Sequence, residues 1–113
     1  MKIKVAFIYT LLFATIILSC KKDDTTCDNA NVSYEGQIKN LFASCAIVGC
    51  HNAGSLEGSL ANYQDAKTFP KMTRMLGALR GQVGFLPMPQ GGTKLNECDI
   101  SKIEKWINLG FPQ

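Results

Sequence analysis

The stretch that decides how this chain folds and functions is Cys45-Ala46-Ile47-Val48-Gly49-Cys50-His51. It holds two of the five cysteines in the chain and its single histidine, which directly follows the second cysteine. Four residues separate the two cysteines, and Gly49 lies just before the second one, where glycine can relax the backbone of a bent loop. Thiols and an imidazole at this spacing indicate a covalently attached cofactor, a disulfide or a metal site.

The order of these groups favours covalent attachment of haem. In this chemistry each thiol adds across one vinyl group of the porphyrin, and the histidine after the second cysteine becomes an axial ligand of the iron. The usual motif has two residues between the cysteines. We therefore expect the two extra residues to bulge outward without moving either sulfur. The alternatives are a Cys45–Cys50 disulfide with an ordinary surface His51, and a zinc site for which Cys98 is the only obvious further ligand.

A second motif, Leu86-Pro87-Met88-Pro89, brings Met88 to a position 37 residues after His51. Prolines on both sides restrict the backbone and disfavour a helix there. We predict that Met88 is the axial ligand opposite His51, where a soft thioether favours Fe(II). Met72 and Met75 fall on a helical stripe instead, so packing is their expected role.

The sequence around both motifs resembles a set of Bacteroidetes c-type cytochrome domains in which the longer Cys-x4-Cys-His loop recurs. The resemblance extends over residues 42–52, 86–92 and 95–110. It implies an all-α, class I-like cytochrome c fold, in which the first and last helices cross and short helices and loops wrap one haem. It also implies a disulfide between Cys27 and Cys98 near that crossing, with two free thiols as the alternative.

Apolar spacing and capping residues predict four helices. The first two run from about Ser33 to Ser44 and from Asn62 to about Phe69. The last two run from Lys71 to Leu79, with Gly81 as a stop, and from a cap at Asn96 to a stop at Gly110. Trp106, the only tryptophan, lies on the last helix, and we expect it to pack against the first helix.

Residues 1–19 are predicted to be a lipoprotein signal peptide. Two lysines precede an uncharged, mostly apolar run of 14 residues, Val5 to Leu18, which is too short for an ordinary membrane span. Ile17-Leu18-Ser19-Cys20 resembles the bacterial lipobox, which implies cleavage before Cys20 and acylation of its sulfur. We expect a polar tether over residues 20–31 and one domain over residues 32–113. An uncleaved N-terminal anchor is the alternative, and both interpretations place the domain in the cell envelope, on the periplasmic side or at the outer-membrane surface.

The expected function is electron transfer by one covalent haem c, with His51 and Met88 as iron ligands and no catalytic residue. The mature chain carries ten basic and nine acidic side chains, so it lacks the charge of a nucleic-acid binder. The expected partners are redox proteins and, through the lipid, the membrane. Two alternatives stay open: a haem sensor or enzyme subunit with an open distal site, and a disulfide-stapled envelope binding module without haem. Arg74, Arg80 and Lys94 are candidates for pairing with a haem propionate.

Overall fold

The computed structural model describes residues 27–113; the predicted signal peptide, Cys20 and the first part of the tether lie outside the described residues. The described part contains five helical segments: α1 (Tyr34–Ile38, π-helical), α2 (Lys39–Ala43), α3 (Tyr63–Lys67), α4 (Met72–Arg80) and α5 (Glu97–Asn108). These residues contain no strand, so the all-α prediction is confirmed for this part of the chain. Within the same range, no helix has the length and apolar character needed to cross a membrane.

The first predicted helix has two parts, because α1 is π-helical and continues directly into α2. Its start is set by Ser33, whose Oγ accepts a hydrogen bond from the Gly36 amide at 3.1 Å. A Cβ on Gly36 would lie 2.9 Å from that oxygen, so the absence of a side chain there keeps the cap compact. A helix start of this kind satisfies an amide that has no partner within the helix.

The core forms where α1 and α2 meet α5, around Trp106. The Trp106 side chain is fully buried, as are Ile38 and Ile103. Its ring centroid lies 5.9 Å from that of Tyr34 and 5.9 Å from that of Phe42. The prediction that Trp106 packs against the first helix is therefore confirmed.

Helix α5 ends in a Schellman motif at the predicted stop. The Gly110 amide donates to Ile107 O and the Phe111 amide donates to Trp106 O, both at 3.0 Å. Gly110 has the left-handed φ of 78° that this turn requires. Phe111 also has a positive φ, and its ring rests edge-on against Trp106 with centroids 5.0 Å apart. The apolar contact that accompanies such motifs thus closes one side of the core.

The C-terminal tail then joins three helices through its carbonyl groups. Pro112 O accepts hydrogen bonds from the Tyr34 amide and from Trp106 Nε1, both at 2.9 Å. Phe111 O accepts from the hydroxyl of Tyr63 on α3 at 2.9 Å. Because Tyr34 opens α1, the tail supplies an acceptor to an amide that the helix itself leaves without one.

Helix α3 is shorter than predicted, and helix α4 is shifted toward the C-terminus. Helix α3 begins after Asn62, whose side chain accepts from the Asp65 amide at 2.9 Å, but it ends at Lys67 rather than Phe69. Helix α4 begins at Met72 and ends at Arg80, and its C-cap Gly81 has the expected left-handed conformation, φ 65°. The side-chain cap at Asn62 and the left-handed Gly81 are local signals, whereas Lys71 gives α4 no side-chain cap. All four limits lie within about two residues of the predicted ones.

A disulfide joins Cys27 to Cys98, with an S–S distance of 2.00 Å and a Cα–Cα distance of 5.3 Å. This is the pairing that the resemblance implies. It fixes the described end of the predicted tether to the first turn of α5. The predicted tether is therefore held to the domain at Cys27, before the first buried residue, Val32.

Candidate haem-attachment site

The cysteine loop is closed by backbone hydrogen bonds that bring its two ends together. The His51 amide donates to Cys45 O at 3.0 Å, so the histidine returns to the first cysteine. Inside the loop, the Cys50 amide donates to Ile47 O at 3.0 Å, and Gly49 takes the positive φ of 84° that this tight turn needs. Val48, at the tip, is 91 % exposed. The tip of the loop thus projects into solvent, while a hydrogen bond joins its two ends.

Both loop cysteines are free thiols, whereas Cys98 is already paired. Cys45 and Cys50 therefore form no disulfide with each other. Because Cys98 is bonded to Cys27, it is not available as a zinc ligand. Across residues 27–113, no group of three or more His, Cys, Asp or Glu side chains is close enough to hold a metal. Burial raises the pKa of the Cys45 thiol, with a smaller opposing effect from its hydrogen bond with Ser44. A raised pKa keeps this sulfur protonated at neutral pH and slows its entry into disulfides.

The imidazole of His51 is oriented by a backbone carbonyl. Nδ1 lies 3.0 Å from Gly58 O. Because a carbonyl only accepts hydrogen bonds, Nδ1 must carry the proton, and the lone pair of the neutral ring is on Nε2. A histidine that ligates a metal is almost always held in this way by its other ring nitrogen. The His51 ring is also supported edge-on by Phe69, with centroids 5.2 Å apart.

Gly58 belongs to the candidate site, and sequence reasoning missed it because its stretch indicates only a turn. Its φ is 100°, and a Cβ there would lie 2.7 Å from the Phe69 ring, at Cε2. A side chain at this position would therefore displace either Phe69 or the carbonyl that orients His51. The sequence shows only a glycine seven residues after the histidine. Its contact with His51 forms only when the loop folds back.

Met88 is half-buried, and it packs against the hydrophobic core. Its amide donates to Ala78 O on α4 at 3.0 Å, which fixes the Pro-Met-Pro loop to that helix. The other end of α4 approaches Phe69, because the Met72 amide donates to Phe69 O at 3.1 Å. One helix therefore connects the ring that supports His51 to the loop that carries Met88. Met75 is buried in the core, in agreement with its expected packing role.

Apolar side chains lie both at the edge of the core and on the exposed loops. Ten partly buried apolar side chains pack against the core: Leu41, Cys45, Ala46, Tyr63, Met72, Leu76, Met88, Leu95, Ile107 and Phe111. Large apolar side chains of the neighbouring loops are exposed, namely Ile47, Val48, Leu56, Val83 and Leu86. An apolar macrocycle with two vinyl groups is bound by side chains of this kind. The two free thiols and the imidazole lie in one loop, Met88 lies on a separate loop held to α4, and together they have the donor chemistry that a covalent haem requires.

Comparison with models of protein families, with curated proteins and with solved structures gave no match.

Proposed function

We propose that this chain is a small monohaem c-type cytochrome that carries electrons in the cell envelope. The observation that supports this most is the hydrogen bond between His51 Nδ1 and Gly58 O. This hydrogen bond assigns the proton to Nδ1 and leaves Nε2 available as a ligand. His51 directly follows the free thiol of Cys50, and its amide donates to the carbonyl of Cys45, which carries the other free thiol.

Each group at the site has a defined role in this proposal. Cys45 and Cys50 would hold the haem through thioethers, in which each S–H bond adds across one vinyl group, so that the sulfur gains a carbon and the vinyl gains a hydrogen. His51 Nε2 and the Met88 sulfur would ligate the iron. The bound haem supplies the Fe(III)/Fe(II) couple. A thioether ligand and apolar surroundings favour Fe(II) and so raise the reduction potential.

Two protein ligands on the iron favour an electron carrier over an enzyme, because a substrate then has no open coordination position. The fixing of the Met88 loop to α4 supports this proposal, since a weak iron–thioether bond needs a loop that holds the sulfur in place. The alternative function, a haem sensor or enzyme subunit, requires that Met88 does not ligate the iron.

The envelope location is supported by the predicted lipobox at Cys20 and by the Cys27–Cys98 disulfide. Disulfides persist in the oxidising periplasm and are rare in the cytosol. A lipid on Cys20 would place the domain at a membrane, with redox proteins of the envelope as its partners.

Haem staining of a denaturing gel tests the attachment. The full chain is expressed for export together with a cytochrome c maturation system. We expect the wild type to keep haem on the gel, Cys45→Ser or Cys50→Ser alone to keep less, and the double variant to keep none. The Cys27→Ser/Cys98→Ser double variant is the matched control and should retain haem, because its two cysteines form no thioether. Haem that stays on the Cys45/Cys50 double variant, or a wild type that carries none, would contradict the proposal.

A further inference from the structure

We propose that Gly77 and Phe85 hold the Met88 loop (residues 81–90) on α4 and so determine how firmly Met88 ligates the iron. This inference rests on the proposed function, and Gly77 and Phe85 are positioning residues in it.

The Met88 loop has few buried side chains to hold it in place. Seven of its ten residues are exposed, and only Phe85, Met88 and Pro89 are half-buried. A segment with so few buried contacts opens easily unless particular contacts fix it. The contacts of Phe85 and Met88 therefore decide where the loop lies.

Two neighbouring residues of α4 make contacts with the loop. A Cβ on Gly77 would lie 2.8 Å from Cε1 and 2.9 Å from Cδ1 of Phe85, so the ring lies directly against the helix backbone. The next residue, Ala78, accepts a hydrogen bond from the Met88 amide at 3.0 Å through its carbonyl. The loop is thus attached to the helix at two points, Phe85 and Met88.

The presence of glycine at position 77 is explained by the ring and not by the helix. Gly77 is buried in the interior of α4, where alanine is the more favourable residue. Its φ is not left-handed, so the backbone conformation does not require glycine. The space that a side chain would take is occupied by the Phe85 ring. Gly77 therefore provides the seat of that ring.

The connection from Phe85 to Met88 is short and stiff. Only Leu86 and Pro87 lie between them, and the proline ring fixes one backbone dihedral angle. A displaced Phe85 ring therefore shifts Met88 as well. A loop that leaves α4 more often takes the Met88 sulfur away from the iron more often. An added ligand that binds only this open form then shows an apparent affinity in proportion to the open fraction.

The test measures two properties of the exported holoprotein. One is the apparent Kd of the oxidised protein for added imidazole, a ligand of Fe(III), and the other is the hydrogen exchange of the Met88 amide in the reduced protein. We expect Gly77→Ala to accelerate this exchange and to tighten imidazole binding, and a loop that opens ten times as often gives an apparent Kd about tenfold lower. The denaturant midpoint should not fall in parallel, because alanine favours the helix. A merely structural role would move the midpoint instead.

Two further variants and one control show whether Gly77 acts through the ring. Phe85→Ala removes the attachment and should have the same two effects, and it carries the test if Gly77→Ala does not fold. In the double variant Gly77→Ala/Phe85→Ala, the first substitution should add nothing to the second, because the ring is absent. Gln82→Ala is the matched control, since Gln82 is an exposed residue of the same loop, and both readouts should stay near the wild-type values.

Wild-type values of both readouts in Gly77→Ala or in Phe85→Ala overturn the inference, as do additive effects in the double variant. Faster exchange of the Met88 amide with unchanged imidazole binding also overturns it, because the loop would then not control the ligand. A wild type without covalent haem, or one whose reduced iron binds carbon monoxide readily, overturns the proposed function and this inference with it.

Discussion

Removing the Cys27–Cys98 disulfide should cost this small domain a large share of its stability. The two cysteines are 71 residues apart, and a cross-link over a loop of that length restricts the unfolded chain by about 4 kcal/mol on a chain-entropy estimate. Single domains are typically stable by only about 5–15 kcal/mol. For a domain of fewer than 100 residues, a loss of about 4 kcal/mol corresponds to a fall in Tm of roughly 15–30 °C.

The assay is denaturant unfolding of the Cys27→Ser/Cys98→Ser variant beside the wild type, both with oxidised iron and without reductant. Ser101→Ala is the control, because Ser101 Oγ donates to Cys98 O at 2.7 Å and its loss perturbs the same turn without opening the cross-link. The control should cost about 1 kcal/mol, the usual value of one hydrogen bond. A loss below about 1 kcal/mol in the double variant would refute the reasoning that the bridge stabilises the fold through the length of its loop.

Two further predictions concern the histidine support and the pH dependence. Gly58→Ala should disturb the low-spin spectrum of the haem, because the new Cβ would clash with the Phe69 ring and shift the carbonyl bound to His51. The control is Gly54→Ala, which is also at positive φ but has nothing within 4 Å of its Cβ. It should lower stability and leave the spectrum unchanged. Equal spectral effects of the two variants would contradict this role of Gly58. The Arg80 guanidinium lowers the pKa of Glu104, mainly through their hydrogen bond, so the pair stabilises the fold above the ordinary glutamate pKa and loses this effect as pH falls through the lowered value. Glu104→Gln should therefore be less stable than the wild type at neutral pH and converge with it in acid, which unfolding curves over pH would show; a constant gap at every pH would contradict the pairing.

The helices that could be predicted are those with local signals. Asn96 caps α5 and Gly110 ends it, and both act within one turn of the helix, so the sequence alone places its limits. The π-helical start of α1 could not be predicted, because it combines the Ser33 cap with an acceptor at Pro112, at the other end of the chain.

The same distinction applies to the candidate site. Short motifs contain the adjacent Cys50 and His51 and the prolines beside Met88, so these features could be interpreted from the sequence alone. The contact of Gly58 O with His51 and the ion pairs of Arg80 depend on how a loop and a helix pack. Periodicity carries no information about such contacts. Only the folded structure shows that Arg80 pairs with Glu97 and Glu104.

The measurement that tests the central claim most directly is the spectrum of the reduced, natively exported wild type, recorded before and after addition of carbon monoxide. With His51 and Met88 both on the iron, we expect a red protein with a low-spin, six-coordinate spectrum that carbon monoxide leaves unchanged, whereas Met88→Ala should bind carbon monoxide. A reduced wild type that is high-spin and binds carbon monoxide readily would contradict the electron-carrier account and favour an open-site sensor or enzyme. A colourless protein would contradict haem attachment itself.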